Sequence, residues 1–345
     1  MNTNRLKAIE LRRQTLQASL DTAKSATERN RLGQFATPNT LAIEIARYVD
    51  SIIDDRHRAV RFADPSIGSG SFFSAVLEVF GPRRMKSAVG VELDAAFFET
   101  ARNLWSDTSL QLIHGDFTDI VGKATRPPSP DLVLANPPYT RHHHLGRQEK
   151  ARLQGLTYTL CGVEISGLAG LYVYFLLLAT AWMEDGGYAA WLIPSEFMDA
   201  NYGGALKRYL TDRVTLIRAH RFEPDDVQFG DALVSSVVLV FRKAVPPEGH
   251  EVQFTFGGPI GTPYASNQIP IDRLRVSRKW TMYPRHPRND RHIADEGSSS
   301  RLSDFFRIQR GIATGCNKFF VIDRAVARGR SLPEQYLRPI LPSPR

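Results

Sequence analysis

The residues with the most chemical potential in this sequence stand at the ends of apolar runs. In Asp131-Leu-Val-Leu-Ala-Asn-Pro-Pro-Tyr139, a short apolar stretch reads as a buried strand that stops abruptly at Asn136. Proline fixes φ and supplies no N–H. No ladder therefore continues through Pro137 and Pro138, and the carbonyls of Asn136 and Pro137 are left to face a ligand. An amide oxygen, a carbonyl and an aromatic ring at one place suit an exocyclic amine. Asn136 and Pro137 can each accept one N–H while Tyr139 lies against the ring that carries the amine. Asn-Pro alone is an ordinary turn, but the tetrapeptide after an apolar strand has the context a functional site requires.

Three earlier strands end in acids. Val60-Arg-Phe-Ala-Asp64-Pro65-Ser-Ile-Gly68-Ser-Gly70-Ser-Phe72 reads as a strand, a tight glycine turn and a helix over about residues 72–79. Glycine allows positive φ and close approach to a ligand, and the helix start presents free N–H groups. The loop is of nucleotide type, yet Phe73 stands where a dinucleotide fingerprint needs its third glycine. About twenty residues on, Glu92-Leu93-Asp94 ends a second strand, and a carboxylate there can accept both ribose hydroxyls. Dehydrogenase and methyltransferase folds share this arrangement, so it leaves NAD and S-adenosylmethionine both open. A third strand from Leu110 ends at Asp116-Phe117, an acid able to accept an adenine amine beside a ring able to pack on it; a plain strand-to-turn passage explains it equally well. Asp64, Glu92, Asp116 and Asn136 then share one rim of a parallel sheet, the rim where ligands bind.

Other segments must position that rim. Residues 1–32 carry seven Lys and Arg with Leu6, Ile9, Leu16 and Leu20 at near-helical spacing, which predicts a helix packed on the main domain with its basic face in solvent. Thr37 suits an N-cap and Pro38 the first position of a following helix. Residues 168–183 form the longest apolar stretch, about sixteen residues, short of the ~20 a membrane span needs, and read as a buried helix. Gly186 and Gly187 stop it. A fifth strand from Tyr188, a helix over 203–210 and strands over 214–222 and 233–241 follow. The segment after Tyr139 is polar and basic and reads as a loop, with Arg141, Arg147, Lys150 and Arg152 available for phosphates. Its three adjacent histidines cannot converge on one metal from a regular element, so no metal site is expected. Residues 246–300 read as a linker with a basic surface suited to phosphate tracking.

Asn136-Pro-Pro-Tyr139 and the order of motifs around it resemble the gamma class of S-adenosylmethionine-dependent DNA adenine-N6 methyltransferases, the TaqI-like modification enzymes of restriction-modification systems. The resemblance covers residues 33–245, with a second match over 301–339 that includes Arg310-Gly-Ile-Ala-Thr-Gly315. It implies an α/β, doubly wound, mostly parallel class I methyltransferase sheet of seven strands with helices on both faces, followed by the start of a C-terminal target-recognition domain at 301–345. The implied catalytic residues are Asn136, Pro137, Pro138 and Tyr139. Thr37, Pro38, Asp64, Pro65, Gly68, Gly70, Glu92, Leu93, Asp116 and Phe117 are implied to hold S-adenosylmethionine, the Thr37-Pro38 segment at its methionine end. Tyr139 and Phe229 are implied to stack on the flipped base, with Arg141, Arg147, Lys150 and Arg310 near DNA. Family members run well beyond the match, so most of a recognition domain is expected to be absent.

Composition agrees with a polyanionic partner, since 44 Lys and Arg against 36 Asp and Glu leave a net charge of +8. Two distant cysteines, Cys161 and Cys316, make a disulfide framework unexpected and point to a reducing, cytoplasmic location; no secretory signal or membrane partner is expected. The expected partners are double-stranded DNA and a cognate restriction endonuclease or a separate specificity subunit. Protein-glutamine and ribosomal-RNA amino-methyltransferases use similar Asn-Pro-Pro-Tyr motifs and form the rival reading. Neither cysteine follows a proline at a strand end, so cytosine-C5 chemistry has no nucleophile here.

Overall fold

The computed structural model describes residues 3–25, 28–29, 32–55, 58–123, 127–223, 235–284, 302–307 and 316–340. Its contacts divide the chain into one unit over residues 1–289 and another over 290–345.

The first unit is built on one sheet. Apolar runs supply β1 (Val60–Asp64), β2 (Met85–Glu92), β3 (Leu110–His114), β4 (Leu132–Ala135) and β5 (Tyr188–Pro194), all paired in parallel. Then come β6 (Thr215–Arg221), β7 (Ser236–Arg242), β8 (Glu251–Phe256) and β9 (Ala265–Pro270), in the order β3-β2-β1-β4-β5-β7-β6-β8-β9. β7 runs antiparallel to both β5 and β6. Every residue of β4 and of β5 is buried, as expected for strands covered on both faces. Alternate residues feed two cores. Leu132 and Leu134 face the helices Asn39–Ile52 and Ser71–Val79, whereas Val133 and Ala135 face the helix Leu171–Trp182. That last helix is apolar all round and almost wholly buried, as its sequence predicts. Among the described residues, no helix is long and apolar enough to cross a membrane.

Four local expectations are corrected. Pro38, not Thr37, is the N-cap of the helix Asn39–Ile52, because the Thr37 hydroxyl and carbonyl are used elsewhere. The N-terminal helix Thr3–Thr22 does pack on the domain, but Arg13 is buried rather than solvated, since Glu10, one turn earlier, neutralises it. The stretch read as a polar loop after Tyr139 holds a 3-10 turn at His142–His144 and a fifteen-residue helix, Arg147–Cys161. Leu153 and Thr157, one turn apart, anchor that helix, while Arg152 is spent on Glu149, Asp119 and Thr118.

The largest correction lies in the described part of the expected linker 246–300, residues 246–284. Its prolines and glycines mark turns of a β-hairpin, not a linker: β8 and β9 extend the sheet from the expected seven strands to nine. Val252, Phe254 and Ile269 are buried, and Trp280 and Tyr283 close over Phe254. Arg275 pairs with Asp212 and Asp272, so part of the basic cluster is engaged internally.

In the second unit the described residues form short helices at Leu302–Phe305, Asn317–Phe320 and Arg324–Gly329, the last capped by Asp323. Phe229 and the 310–315 segment lie outside the described residues.

Candidate functional site

The strand order reverses direction between β1 and β4. In a doubly wound sheet such a switch opens a crevice beyond the carboxyl ends of the strands. A cavity of about 240 Å³ lies there, bounded by the ends of β1, β2 and β4, the glycine loop, the segment 32–37 and the N-terminal helix.

The glycine-loop side is tightly tied. Gly68 and Gly70 adopt positive φ, at 57° and 94°, as the turn requires. A Cβ on Gly70 would collide with the Trp105 indole, whose Nε1 donates to the Ser69 carbonyl at 2.9 Å. Glu92 uses both oxygens on backbone: Oε2 accepts the Gly68 N–H at 2.9 Å and Oε1 the Asp94 N–H at 2.8 Å. Asp64 is 2% exposed and accepts the Ser66 N–H. Burial pushes its carboxyl up to about 8, against the Ser66 N–H and with help from the Glu92 charge. Burial raises Glu92 as well, although the Asp94 and Gly68 N–H groups oppose it. Neither carboxylate is in a salt bridge among the described residues. A cavity walled by two such groups suits a ligand bearing positive charge and N–H or O–H donors. Asp116 caps the short helix Phe117–Val121 through Oδ1.

The Asn136 side is laced to a distant loop. Asn136 Nδ2 donates to the Phe35 carbonyl at 2.8 Å and to Thr37 Oγ1 at 3.1 Å. The Tyr139 N–H donates to the Gly33 carbonyl, and the Thr140 hydroxyl to that of Leu32. Gly33 has φ +68°, and a Cβ there would strike the backbone nitrogens of Tyr139 and Thr140. These bonds fix the Asn136 amide with its nitrogen spent. Its Oδ1 is buried and has no hydrogen-bond partner among the described residues. A buried acceptor left in that state costs on the order of 1–3 kcal/mol.

The cavity gathers most of the residues singled out in sequence. Thr37, Asp64, Pro65, Gly68, Glu92, Leu93, Asp116, Phe117, Asn136 and Pro138 line it; Pro38, Gly70, Pro137 and Tyr139 do not. Two expected geometries are corrected. The Asn136 carbonyl is taken by the Ser66 hydroxyl at 3.2 Å, so it does not await a ligand. Tyr139 is 7% exposed, packs on Phe35 with centroids 5.5 Å apart and donates its hydroxyl to the Leu192 carbonyl, so its ring is not an open stacking face here. Arg141, Arg147 and Lys150 sit outside the cavity, the first two exposed. Sequence reasoning missed Gln17 and Asp21, Phe35, Phe97, Leu171 and Phe175, which complete the wall. Only Phe35 had a signal, its place in Gly33-Gln-Phe-Ala-Thr37. Among the described residues, no group of three or more His, Cys, Asp or Glu could hold a metal ion.

Comparison with known proteins adds to this geometry. The family model for the Eco57I restriction-modification methylase matches residues 123–228. Over 292 residues the chain is 29% identical to the type II methyltransferase M.XamI of Xanthomonas campestris pv. amaranthicola, an alignment covering 81% of this chain and 51% of that protein. The chain spans about half the length of the curated relatives it matches. Among solved structures, it is similar to the methyltransferase subunit of a type I restriction-modification system from Streptococcus thermophilus, with a TM-score of 0.54 and 18% identity over 64% of this chain and 47% of that one. It is also similar to a Listeria monocytogenes protein described as a class I S-adenosylmethionine-dependent methyltransferase, with a TM-score of 0.54 and 15% identity over 71% and 73% of the two chains. The fold is that of the class I methyltransferases, carried on a sheet of nine strands.

Proposed function

We propose that this chain carries the catalytic site of a restriction-modification DNA methyltransferase, which moves a methyl group from S-adenosylmethionine to N6 of an adenine swung out of duplex DNA. The observation that carries this reading is the buried Oδ1 of Asn136, unpartnered among the described residues and held in the wall of a cavity whose other walls are a glycine loop and the carboxylates Asp64 and Glu92. The family match over 123–228, which includes Asn136-Pro-Pro-Tyr139, supports it.

The residues present fit S-adenosylmethionine. Asp64 and Glu92 suit a cationic ligand with ribose hydroxyls, Gly68 permits close backbone approach, and Asp116, whose helix cap uses Oδ1, offers Oδ2 to an adenine amine beside Phe117. When bound, S-adenosylmethionine supplies an electrophilic methyl on a sulfonium sulfur. Asn136 Oδ1 and the Pro137 carbonyl accept the two N–H groups of the target amine. That draws the nitrogen lone pair out of ring conjugation and aims it at the methyl carbon. With S-adenosylmethionine bound, the new N–C bond would form as the methyl's C–S bond broke, and the role of Asn136 and Pro137 would be to hold the amine until its surplus proton left to solvent. Fixed acceptors do most of this work, because they need no reorganisation during transfer.

The target base must leave the duplex, at a cost of a few kcal/mol offset by stacking. Phe229 is assigned that role, with Tyr139 joining it once its contact with Phe35 opens. Arg141, Arg147, Lys150 and Arg310 are assigned to the DNA backbone, and residues 301–345 to the start of a target-recognition domain. Double-stranded DNA is the proposed partner, with a cognate endonuclease or specificity subunit beside it.

The test is transfer of labelled methyl from S-adenosylmethionine to unmethylated DNA, followed by digestion to nucleosides. N6-methyladenine at discrete sites is expected. Label in another nucleoside, in RNA or in protein would refute the assignment. Cofactor binding without transfer would point to a separate specificity subunit.

A further inference from the structure

The N-terminal helix Thr3–Thr22 lies across the glycine loop and contributes Gln17 and Asp21 to the cavity wall. Its grip on the loop is polar and internal. Arg13, 2% exposed, bonds Glu10 through Nε at 2.8 Å and Nη2 at 2.7 Å, and Glu10 itself is 7% exposed. The remaining donor, Nη1, reaches Ser69 Oγ at 2.9 Å. That hydroxyl donates in turn to Gln17 Oε1 at 2.7 Å, while Gln17 Nε2 donates to Asp21 at 2.9 Å. Ser69 is the residue between the two glycines of positive φ, and it lines the cavity.

A buried ion pair is a poor way to hold a helix down. Removing two charges from water offsets most of their attraction, and apolar side chains of similar volume often serve stability as well or better. Leu6 is already in the apolar core beneath this helix, with Ile9 and Leu16 packed against it. What the pair supplies and apolar packing does not is direction. Glu10 holds the guanidinium plane, and the plane aims one N–H at one oxygen of the loop.

We propose that Arg13 is a positioning residue for the cofactor cavity. Acting through Ser69, it holds the glycine loop in its ligand-ready shape and makes the N-terminal helix a working wall of the site. This rests on the reading of the cavity as the S-adenosylmethionine site. Neither Glu10 nor Arg13 lines the cavity, so any effect of replacing them on ligand affinity is transmitted through the loop or through the helix that carries Gln17 and Asp21, and Ser69→Ala isolates the loop route.

The test replaces the pair with apolar groups of similar volume, Glu10→Leu with Arg13→Met, in the full chain. The melting temperature should hold or rise. The Kd for S-adenosylmethionine, measured by calorimetry, should weaken about tenfold, as expected for losing one charge-assisted hydrogen bond. In transfer assays KM for the cofactor should rise with kcat retained at saturation. Ser69→Ala removes the link while leaving the ion pair in place, and the same split is expected. An unchanged Kd and KM in either variant would overturn the inference. Wild-type chain that does not bind S-adenosylmethionine would instead overturn the underlying reading of the cavity.

Discussion

The two sides of the cavity hold their polar atoms in opposite states. On the glycine-loop side Glu92 spends both oxygens on backbone N–H groups, Asp64 accepts from Ser66, and the Ser69 carbonyl is bound by Trp105. On the other side the Asn136 nitrogen is doubly engaged and its oxygen is not. The first side is a finished cradle, whose shape exists before any ligand arrives. The second keeps one acceptor in reserve and bears the energetic cost of doing so. Binding and chemistry should therefore separate by mutation along this line.

The largest expected effect breaks the reserved acceptor. Asn136→Ala should lower methyl transfer by about 10³-fold, comparable to losing one preorganised group from an oxyanion hole. A single-turnover rate near wild type would remove Asn136 from the chemistry. Next comes the lacing that aims it. Gly33→Ala forces a Cβ into the backbone of Tyr139 and Thr140 at φ +68°, and should cost roughly 3 kcal/mol in urea unfolding while also depressing transfer. An unperturbed midpoint would mean that the 32–37 segment tolerates the shift.

The cradle side should respond more mildly and in binding alone. Glu92→Ala frees the Gly68 and Asp94 N–H groups, so KM for the cofactor should rise about tenfold with kcat kept, a pattern that marks lost uniform binding. The smallest effect is on pH dependence. Because burial holds the Asp64 carboxyl up near 8, against 3.8 unfolded, the folded chain binds its proton more tightly. Its contribution to stability is complete below 3.8 and is lost as pH rises toward 8. The melting temperature of wild type relative to Asp64→Asn should fall through that window. Parallel curves would show that the carboxyl is ionised throughout.

Legibility in the sequence followed the same division. β1, β2 and β4 were readable because each is an apolar run ending in a polar residue, and that pattern alone places Asp64, Glu92 and Asn136 on one rim. The glycine loop was readable because positive φ restricts the residue type. The pairing of 32–37 with 136–140 was not, since hydrogen bonds between two loops about a hundred residues apart leave no periodicity. Nor was the contribution of Gln17 and Asp21, which depends on where a helix docks rather than on what it is made of. The hairpin β8–β9 was hidden by its own turns. Proline and glycine make up twelve of the 55 residues of 246–300, and only Val252, Phe254 and Ile269 show the alternation of buried positions. Tyr139 illustrates a different limit: its type was informative, but its exposure depends on Phe35 lying against it.

The central claim, that one side of the cavity binds and the other reacts, is tested most directly by calorimetric titration of S-adenosylmethionine into three proteins without DNA: wild type, Glu92→Ala and Asn136→Ala. One-to-one binding to wild type, weakened by Glu92→Ala and nearly unchanged in Asn136→Ala, is the predicted result. Equal loss of affinity in both variants, or no binding to wild type, would contradict it.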